Sequence, residues 1–286
     1  MICQWQSYLK LIPVRMKRDV DVLGSESLQE LRLRLGQAPK LIFQNRWTDL
    51  KTETSLDDLK YVINSASQYS PWASATMAEG FITGQGGHRI GICGQAVKHN
   101  GVMTGIKDPV ALCIRVARDF PGIAGPLRAL RGSVLIIGPP GCGKTTLLRD
   151  LIRQRASQNA GSVAVVDERG ELYPFENGKC AYPANSNTDI LTGCDKEKGI
   201  DMMLKIMGPV CIAVDEISSQ KDCDALLKAG WSGVDLLATA HAGGVEELKK
   251  RPVYQPILET KLFDHIVCLN RDKSWRLEKG GICCLS

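Results

Sequence analysis

Residues 138–146 place glycines, a lysine and two threonines in the order G-x-x-x-x-G-K-T-T. The backbone N–H groups of such a loop point inward, and the dipole of the following helix adds positive potential, so the segment suits a polyphosphate. Lys144 is expected to reach the β- and γ-phosphates, and the Thr145 hydroxyl to take one position on Mg²⁺. The spacing therefore predicts a Walker A loop that binds ATP with Mg²⁺. Its residues are Gly138, Pro139, Pro140, Gly141, Cys142, Gly143, Lys144, Thr145 and Thr146.

A pair of carboxylates follows the apolar run at residues 210–214. The first, Asp215, suits the Mg²⁺ shell, held directly or through water. The second, Glu216, is placed to orient and deprotonate an attacking water molecule. Acids at the end of an apolar strand, downstream of a complete Walker A loop, predict a Walker B element.

A second apolar run, residues 163–166, ends in Asp167, Glu168 and Arg169. Glu168 is a rival of Glu216 for the role of general base, and Arg169 has the charge to neutralise a phosphate. The alternative is a salt bridge at the end of a strand with no part in chemistry.

His241 follows Thr239 and Ala240 after a further apolar run. A histidine there can donate a hydrogen bond to a γ-phosphate, or it can simply be packed or solvated. In the first half, His88, Arg89, Arg115 and Arg118 are cationic or titratable candidates; any of these arginines could close over a nucleotide or face water. The sequence leaves both readings open.

The elements that must position these residues lie after residue 126. Short, largely apolar runs at residues 133–137, 163–166, 210–214 and 236–239 alternate with helical patterns, the first of them from Thr145 to about Ser157. Continuous apolar strands with intervening helices are typical of a parallel sheet that is covered on both faces. In such sheets ligands gather at the carboxyl ends of the strands, where the candidate residues stand.

The segment at residues 119–126 contains two prolines and two glycines and interrupts both periodicities, which predicts a linker. We therefore expect an α+β N-terminal domain over residues 1–125 and an α/β domain over residues 126–286. In the first domain the pattern predicts a helix from Ser27 through Arg34 and another from about Ser55. Strands are predicted at residues 40–43, 81–83, 89–93 and 111–117.

Composition excludes several classes of protein. The net charge of the 286 residues is +5, and the excess of positive charge lies in the first half, which suits an acidic partner, a nucleotide or an anionic membrane surface, or is simply a solvated surface. None of the eleven cysteines forms a Cys-x-x-Cys pair, which disfavours a disulfide scaffold or a structural zinc site and favours the reducing cytoplasm. No apolar stretch approaches the roughly 18–20 residues of a membrane span, so we expect no transmembrane segment.

Taken in order, the Walker A loop, Asp-Glu-Arg at residues 167–169, Asp-Glu at residues 215–216 and Thr-Ala-His at residues 239–241 resemble the Walker A, Asp box, Walker B and His box of the type II/type IV secretion and pilus ATPases. Within that superfamily the chain resembles the stage III sporulation protein AA family. This closer resemblance rests on L-R-L-R at residues 31–34, G-G-H-R-I-G at 86–91, I-R-V-A-R at 114–118 and T-D-I-L-T-G-C at 188–194.

The resemblance implies a RecA-like ATPase domain preceded by a smaller N-terminal domain, assembled as a homohexamer. It also implies a cytoplasmic location at the face of a membrane secretion complex, which in this family links mother cell and forespore. Asn187, Ser219 and Ala242 stand where relatives usually carry arginine, arginine and glycine.

Two alternatives remain open from the sequence. One is a nucleic-acid motor of the RecA type, although no basic stripe interleaved with aromatic residues supports it, and no nucleic acid is expected as a partner. The other is a scaffold that ATP locks into an oligomer with little turnover, which the two missing arginines would suit, since an arginine finger contributes ~10³–10⁵ in rate.

Overall fold

The computed structural model describes residues 1–24, 27–43, 46–67, 77–78, 80–158, 161–176 and 179–279. The chain divides into two compact units. The first comprises Met1–Asp119 with Pro174–Ala181, and the second Phe120–Tyr173 with Tyr182–Ser286. The sequence did not predict that residues 174–181 belong with the first unit, and the boundary after residue 125 stays a proposal.

The first unit is built on a six-stranded antiparallel sheet with strand order β3-β2-β1-β6-β5-β4. Its core consists mainly of aliphatic side chains, most of them from the sheet and from three helices. The elements are α1 (Trp5–Leu11), α2 (Val14–Gly24), β1 (Glu30–Arg34), β2 (Lys40–Ile42), β3 (Trp47–Asp49), α3 (Leu56–Ser67), β4 (Phe81–Thr83), β5 (Arg89–His99) and β6 (Val102–Arg115).

The helix predicted from Ser27 through Arg34 is wrong. Residues Glu30–Arg34 form β1, in which Leu31 and Leu33 are buried while the charged residues between them are half-buried. The spacing of the leucines in this segment is compatible with a strand as well as with a helix. The segment forms a strand because it pairs with β2 on one side and with β6 on the other. Helices α1 and α2 were not predicted, because charged residues interrupt their apolar pattern.

The four predicted strands and the start of the second predicted helix are confirmed. Strands lie at the four predicted places, and α3 begins directly after Ser55. The start of α3 is a capping box: the Ser55 hydroxyl accepts from the Asp58 N–H at 3.2 Å, and the Asp58 carboxylate accepts from the Ser55 N–H at 2.7 Å.

The second unit contains a seven-stranded sheet with strand order β11-β8-β12-β13-β7-β14-β15. Neighbouring strands are parallel from β11 to β14, and β15 is antiparallel. Its elements, with the β9–β10 hairpin that belongs to the first unit, are β7 (Val134–Gly138), α4 (Lys144–Ala156), β8 (Val163–Asp167), β9 (Phe175–Glu176), β10 (Lys179–Cys180), β11 (Thr188–Thr192), α5 (Lys196–Met207), β12 (Cys211–Ile217), α6 (Gln220–Trp231), β13 (Asp235–His241), α7 (Val245–Lys249), α8 (Gln255–Glu259), β14 (His265–Leu269) and β15 (Trp275–Lys279).

The four central strands position the candidate site. All residues of β7 and β8 are buried, as are the first four of β12 and the middle of β13, which confirms the predicted parallel sheet with a continuous apolar core. Because β8, β12, β13 and β7 are consecutive neighbours and run parallel, their carboxyl ends meet at one edge. Within the described part of the chain, no helix combines the length and the hydrophobicity that crossing a lipid bilayer requires.

Candidate functional site

The loop between β7 and α4 makes a tight turn that depends on glycine. Gly143, the residue before α4, has φ 102°, a left-handed backbone that side chains disfavour. At Gly138 a Cβ atom would lie 2.5 Å from the carbonyl oxygen of Leu269 on β14, so the strand accommodates no side chain there. Pro140 and Gly141 are exposed at the tip of the loop, Cys142 is buried, and Thr146 is half-buried in the first turn of α4.

Lys144 lies inside this loop rather than in solvent. Its side-chain nitrogen donates to the carbonyl oxygens of Gly138 at 3.0 Å and Pro139 at 3.1 Å, and it lies 3.0 Å from Nδ1 of His241. Burial lowers the pKa of Lys144, an effect that the nearby acids Asp215 and Glu216 partly offset. The ammonium group is thus held by neutral acceptors that phosphate oxygens can replace.

The hydroxyl of Thr145 donates to Oδ2 of Asp215 at 2.7 Å, so the Walker A threonine and the first Walker B acid meet directly. Oδ1 of Asp215 accepts from the hydroxyl of Thr239 at 2.5 Å, and the same hydroxyl accepts from the N–H of Glu216 at 2.8 Å. Thr239 is fully buried on β13 and therefore fixes both acids. The sequence offered it only as part of the Thr-Ala-His motif, with no role assigned.

Glu216 has a left-handed backbone, with φ 54°, where the pairing of β12 with β13 becomes irregular. Its carboxylate accepts from Arg169 at 2.9 Å and lies 3.5 Å from Nε2 of His241. Since the Lys144 ammonium can only donate, Nδ1 of His241 is the acceptor and Nε2 carries the proton. A continuous chain of polar contacts thus runs from Lys144 through His241 and Glu216 to Arg169.

Asp167 is buried and organises the turn that follows β8. Its two carboxylate oxygens accept from the N–H groups of Glu171 at 2.9 Å and Tyr173 at 2.8 Å. Burial, assisted by the negative charge of Asp215, raises the pKa of Asp167 to about 6, against the effect of these hydrogen bonds. From the sequence, Asp167 was recognised only as the first residue of the Asp-Glu-Arg motif, and this structural role was not predicted.

Glu168 pairs with Lys196 of α5. Lys196 is itself buried and lies 3.9 Å from the carboxylate of Asp222 on α6. The two rival bases therefore have different partners: Glu216 contacts His241 beside the loop, whereas Glu168 belongs to an ion-pair network with the neighbouring helices. The pairing with Lys196 could not be found from sequence, because 28 positions separate the partners.

The acids and cations at the ends of β8 and β12 line an open cleft, formed by Asp167, Glu168, Arg169, Glu171, Lys196, Asp215 and Glu216. Among the described residues, no group of three or more His, Cys, Asp or Glu side chains has the arrangement of a metal site. Mg²⁺ commonly takes only one or two protein ligands and completes its shell with water and phosphate oxygens. The adjacent oxygens of Thr145 and Asp215 fit that pattern.

Two of the positions at which this chain departs from the pattern of its relatives, Ser219 and Asn187, make local hydrogen bonds. Ser219 caps α6: its hydroxyl accepts from the Asp222 N–H at 3.2 Å, while the Asp222 carboxylate accepts from the Ser219 N–H at 3.0 Å. Asn187 donates from its side chain to the carbonyl oxygen of Ala156 at 3.2 Å.

The histidine and the arginines that the sequence singled out in the first unit contact neighbouring residues of that unit. His88 is fully buried, with Nδ1 accepting from the Ala117 N–H at 3.0 Å and Nε2 lying 3.1 Å from the carbonyl oxygen of Gln4. Burial lowers its pKa to about 4, so the ring is neutral at physiological pH. Arg89 lies over the ring of Phe81, 4.0 Å from its centroid, and Arg115 pairs with Glu30 at 3.2 Å.

Arg118 donates to the carbonyl oxygen of Leu28.

The structure resembles two solved secretion and pilus ATPases. The ATPase DotB of Legionella pneumophila superposes with a TM-score of 0.61 at 18% sequence identity, over 93% of this chain and 79% of that one. The pilus retraction motor PilT, solved with bound ADP, gives a TM-score of 0.57 at 16% identity, over 88% of this chain and 76% of that one. At these identities the likeness shows the fold, which is RecA-like with an additional N-terminal domain, as predicted.

Sequence relatives narrow the assignment. The stage III sporulation protein AA of Bacillus subtilis (strain 168) is 32% identical over 277 residues, covering 92% of this chain and 90% of that protein. The protein SEEDLING PLASTID DEVELOPMENT 1 of Arabidopsis thaliana is 25% identical over 260 residues, but this chain spans only 36% of its length. The model of the family "Sporulation stage III, protein AA" matches residues 6–281. The chain with this loop and these paired acids therefore belongs to the stage III sporulation protein AA family.

Proposed function

We propose that the chain binds ATP with Mg²⁺ and hydrolyses it. The observation that carries this proposal is the convergence of Lys144, Thr145, Asp215 and Glu216 at one edge of the sheet. Thr145 bonds Asp215 directly, and His241 lies between Lys144 and Glu216 and contacts both. The glycine loop suits a phosphate chain, since its lysine is held by carbonyl oxygens that phosphate can replace and since the amides at the start of a helix bind anions.

Within this proposal the loop amides and Lys144 bind the β- and γ-phosphates, and Thr145 and Asp215 hold Mg²⁺. The ion, when bound, neutralises charge that develops on the phosphate oxygens. Thr239 keeps Asp215 turned toward Thr145, because its buried hydroxyl occupies the other carboxylate oxygen.

We assign the general base to Glu216 rather than Glu168. Glu216 contacts His241, which contacts the loop lysine, so its carboxylate lies on the side where a γ-phosphate would end. Arg169 and His241 then act on the same group: each can orient the Glu216 carboxylate, and each can donate toward phosphate once nucleotide enters. Glu168 is assigned to holding the Asp box against α5.

We further propose that the chain works as an oligomeric motor, a homohexamer, at the cytoplasmic face of a membrane complex in sporulation, with residues 1–125 and 126–286 as its domains. Membership of the sporulation family supports the process, and the fold shared with the pilus retraction motor PilT supports a motor. The membrane partners would be integral proteins of a secretion-like complex, and no nucleic acid is expected.

A nucleotide-gated scaffold is the second candidate. It is favoured by Asn187 and Ser219, which stand at positions where relatives usually carry arginine and which make local hydrogen bonds instead. In a scaffold ATP would stabilise the oligomer, and hydrolysis would be slow because charge stabilisation across subunits is weak.

Phosphate release and oligomer mass, measured on the same preparations, separate these functions. A motor releases phosphate continuously, whereas a scaffold gains mass with ATP and turns over slowly. Glu216→Gln is expected to retain ATP binding and lose hydrolysis, and Lys261→Ala serves as a matched exposed control. If Glu216→Gln hydrolyses normally and Glu168→Gln does not, the base moves to the Asp box. Stimulation of turnover by single-stranded DNA, reversed by salt, would instead support a nucleic-acid motor.

A further inference from the structure

A second lysine contacts the phosphate loop from outside the Walker A sequence. Lys273 lies in the turn between β14 and β15, and its side-chain nitrogen donates to the carbonyl oxygen of Gly141 at 2.9 Å. A Cβ atom built on Gly143 would be 3.8 Å from the same nitrogen. No motif of the sequence includes this residue.

The turn that carries Lys273 is held by its own hydrogen bonds. The Asn270 N–H donates to the carbonyl oxygen of Ser274 at 2.9 Å, and the Lys273 N–H donates to that of Asn270 at 3.1 Å. The carboxylate of Asp272 accepts from the N–H of Ser274 at 2.9 Å and from its hydroxyl at 2.6 Å. The direction in which Lys273 leaves the turn is therefore set by the backbone.

Lys273 occupies an unfavourable backbone conformation for its residue type. Its φ is 72°, in the left-handed region where glycine or asparagine is preferred. Because glycine or asparagine would fit this backbone better, the presence of lysine indicates a role for its side chain, which contacts the phosphate loop.

The hairpin cannot move away from the loop easily. Strand β14 pairs in parallel with β7, and Leu269, the last residue of β14, places its carbonyl oxygen where a Cβ of Gly138 would be. The turn and the loop therefore rest on adjacent strands at the points where both strands end.

The bond to Gly141 determines where the next amide points. In a trans peptide the C=O and the following N–H point in opposite directions, so turning the Gly141 carbonyl outward turns the Cys142 N–H inward. The Cys142 N–H donates to the carbonyl oxygen of Pro139 at 3.4 Å, and the same carbonyl oxygen accepts from the Lys144 ammonium, so the amide points toward the group that this lysine serves. An inward amide is what a phosphate oxygen requires.

We propose that Lys273 is a positioning residue that holds the Gly141–Cys142 peptide in the orientation that receives a phosphate, and that nucleotide affinity depends on it. The second half of this inference rests on the proposed binding of ATP at the same loop. The first half concerns the nucleotide-free protein and does not.

Three full-length variants test the proposal: Lys273→Met, which keeps the stem and removes the donor; Lys273→Arg, which keeps a donor; and Lys261→Met. Lys261 is a matched control, since it is also exposed, with φ 52°. Because the bond is solvent-exposed, we expect Lys273→Met to weaken Mg-ADP binding about fivefold, Lys273→Arg to retain most of the affinity, and the control to bind as wild type.

Hydrogen exchange of the loop amides without nucleotide gives an independent readout. Faster exchange at residues 140–144 in Lys273→Met, with no change in Lys261→Met, is expected. If wild type binds Mg-ADP and Lys273→Met binds and exchanges like the control, the positioning role is wrong. If wild type fails to bind, the proposed function fails, and the exchange comparison still decides the role of Lys273.

Replacement by glycine separates positioning from folding stability. Lys273→Gly and Lys261→Gly both relieve a left-handed backbone, so both are expected to keep or raise the unfolding temperature. Only Lys273→Gly is expected to lose affinity for Mg-ADP. Equal affinity of the two glycine variants would overturn the proposal.

Discussion

Removing the hydroxyl of Thr239 is the most informative single change at the Walker B acids. Thr239→Val keeps the shape and burial of the side chain but deletes one donor and one acceptor. Oδ1 of Asp215 loses a bond of 2.5 Å, and the N–H of Glu216 loses its acceptor at 2.8 Å. Among the described residues, Asp215 is then held by Thr145 alone, and Glu216 loses a contact that holds its left-handed backbone.

The magnitude follows from these two bonds. A hydrogen bond to a charged group contributes about 1.5–3 kcal/mol, and one between neutral groups about 1 kcal/mol. If about 2 kcal/mol of this sum orients the acids in the transition state, kcat/KM falls ~30-fold. We expect the loss mainly in kcat, since the loop amides and Lys144 continue to bind phosphate.

Thr239→Ser is the matched control, because it restores the hydroxyl and deletes a buried methyl group. Its unfolding free energy should fall by about 1 kcal/mol while turnover stays near that of wild type. The assay is steady-state phosphate release over a range of Mg²⁺ and ATP concentrations, with thermal unfolding of each variant. Turnover of Thr239→Val within about threefold of wild type would refute the reasoning, as would equal losses in the valine and serine variants.

Three further outcomes are expected. Glu168→Gln should lower turnover less than Glu216→Gln in phosphate-release assays, because Glu168 pairs with Lys196 whereas Glu216 contacts His241 beside the loop; an equal loss would contradict its assignment. Asp150→Ala should lower the unfolding free energy by about 3 kcal/mol in denaturant titrations, because its buried carboxylate accepts from the N–H groups of Gly122 at 2.9 Å and Ala124 at 2.8 Å; a loss below about 1 kcal/mol would contradict this. The pKa of Asp167, about 6 in the fold against about 3.9 unfolded, predicts that its contribution to stability is fully present below about pH 4 and is lost as pH rises through about 6, by about 3 kcal/mol. In Asp167→Asn, this component of the pH dependence should disappear from unfolding measurements made across that range, and an unchanged slope would contradict it.

Local signals in the sequence predicted much of the second unit. The Walker A loop is a contiguous pattern, and the apolar runs that became β7, β8, β12 and β13 need no partner to be recognised. Their order in the sheet could not be predicted, because it depends on pairing between distant residues. The contact of Glu216 with Arg169, 47 positions apart, exists only because β8 and β12 are neighbours.

The first unit was harder to predict. The leucines at 28, 31, 33 and 35 satisfy helical and strand spacings at once, and only the pairing of β1 with two other strands resolves the choice. The roles of Lys273 and Lys196 were invisible for a similar reason, since each bonds a group more than 25 positions away. Such contacts depend on tertiary structure and leave no local pattern.

Calorimetric titration of Mg-ATP into the full chain and into Lys144→Ala tests the central claim most directly. We expect one ATP bound for each wild-type chain and no measurable binding by Lys144→Ala, with both proteins unfolding cooperatively. Equal affinity in the two proteins, or no binding by wild type in the presence of Mg²⁺, would contradict it.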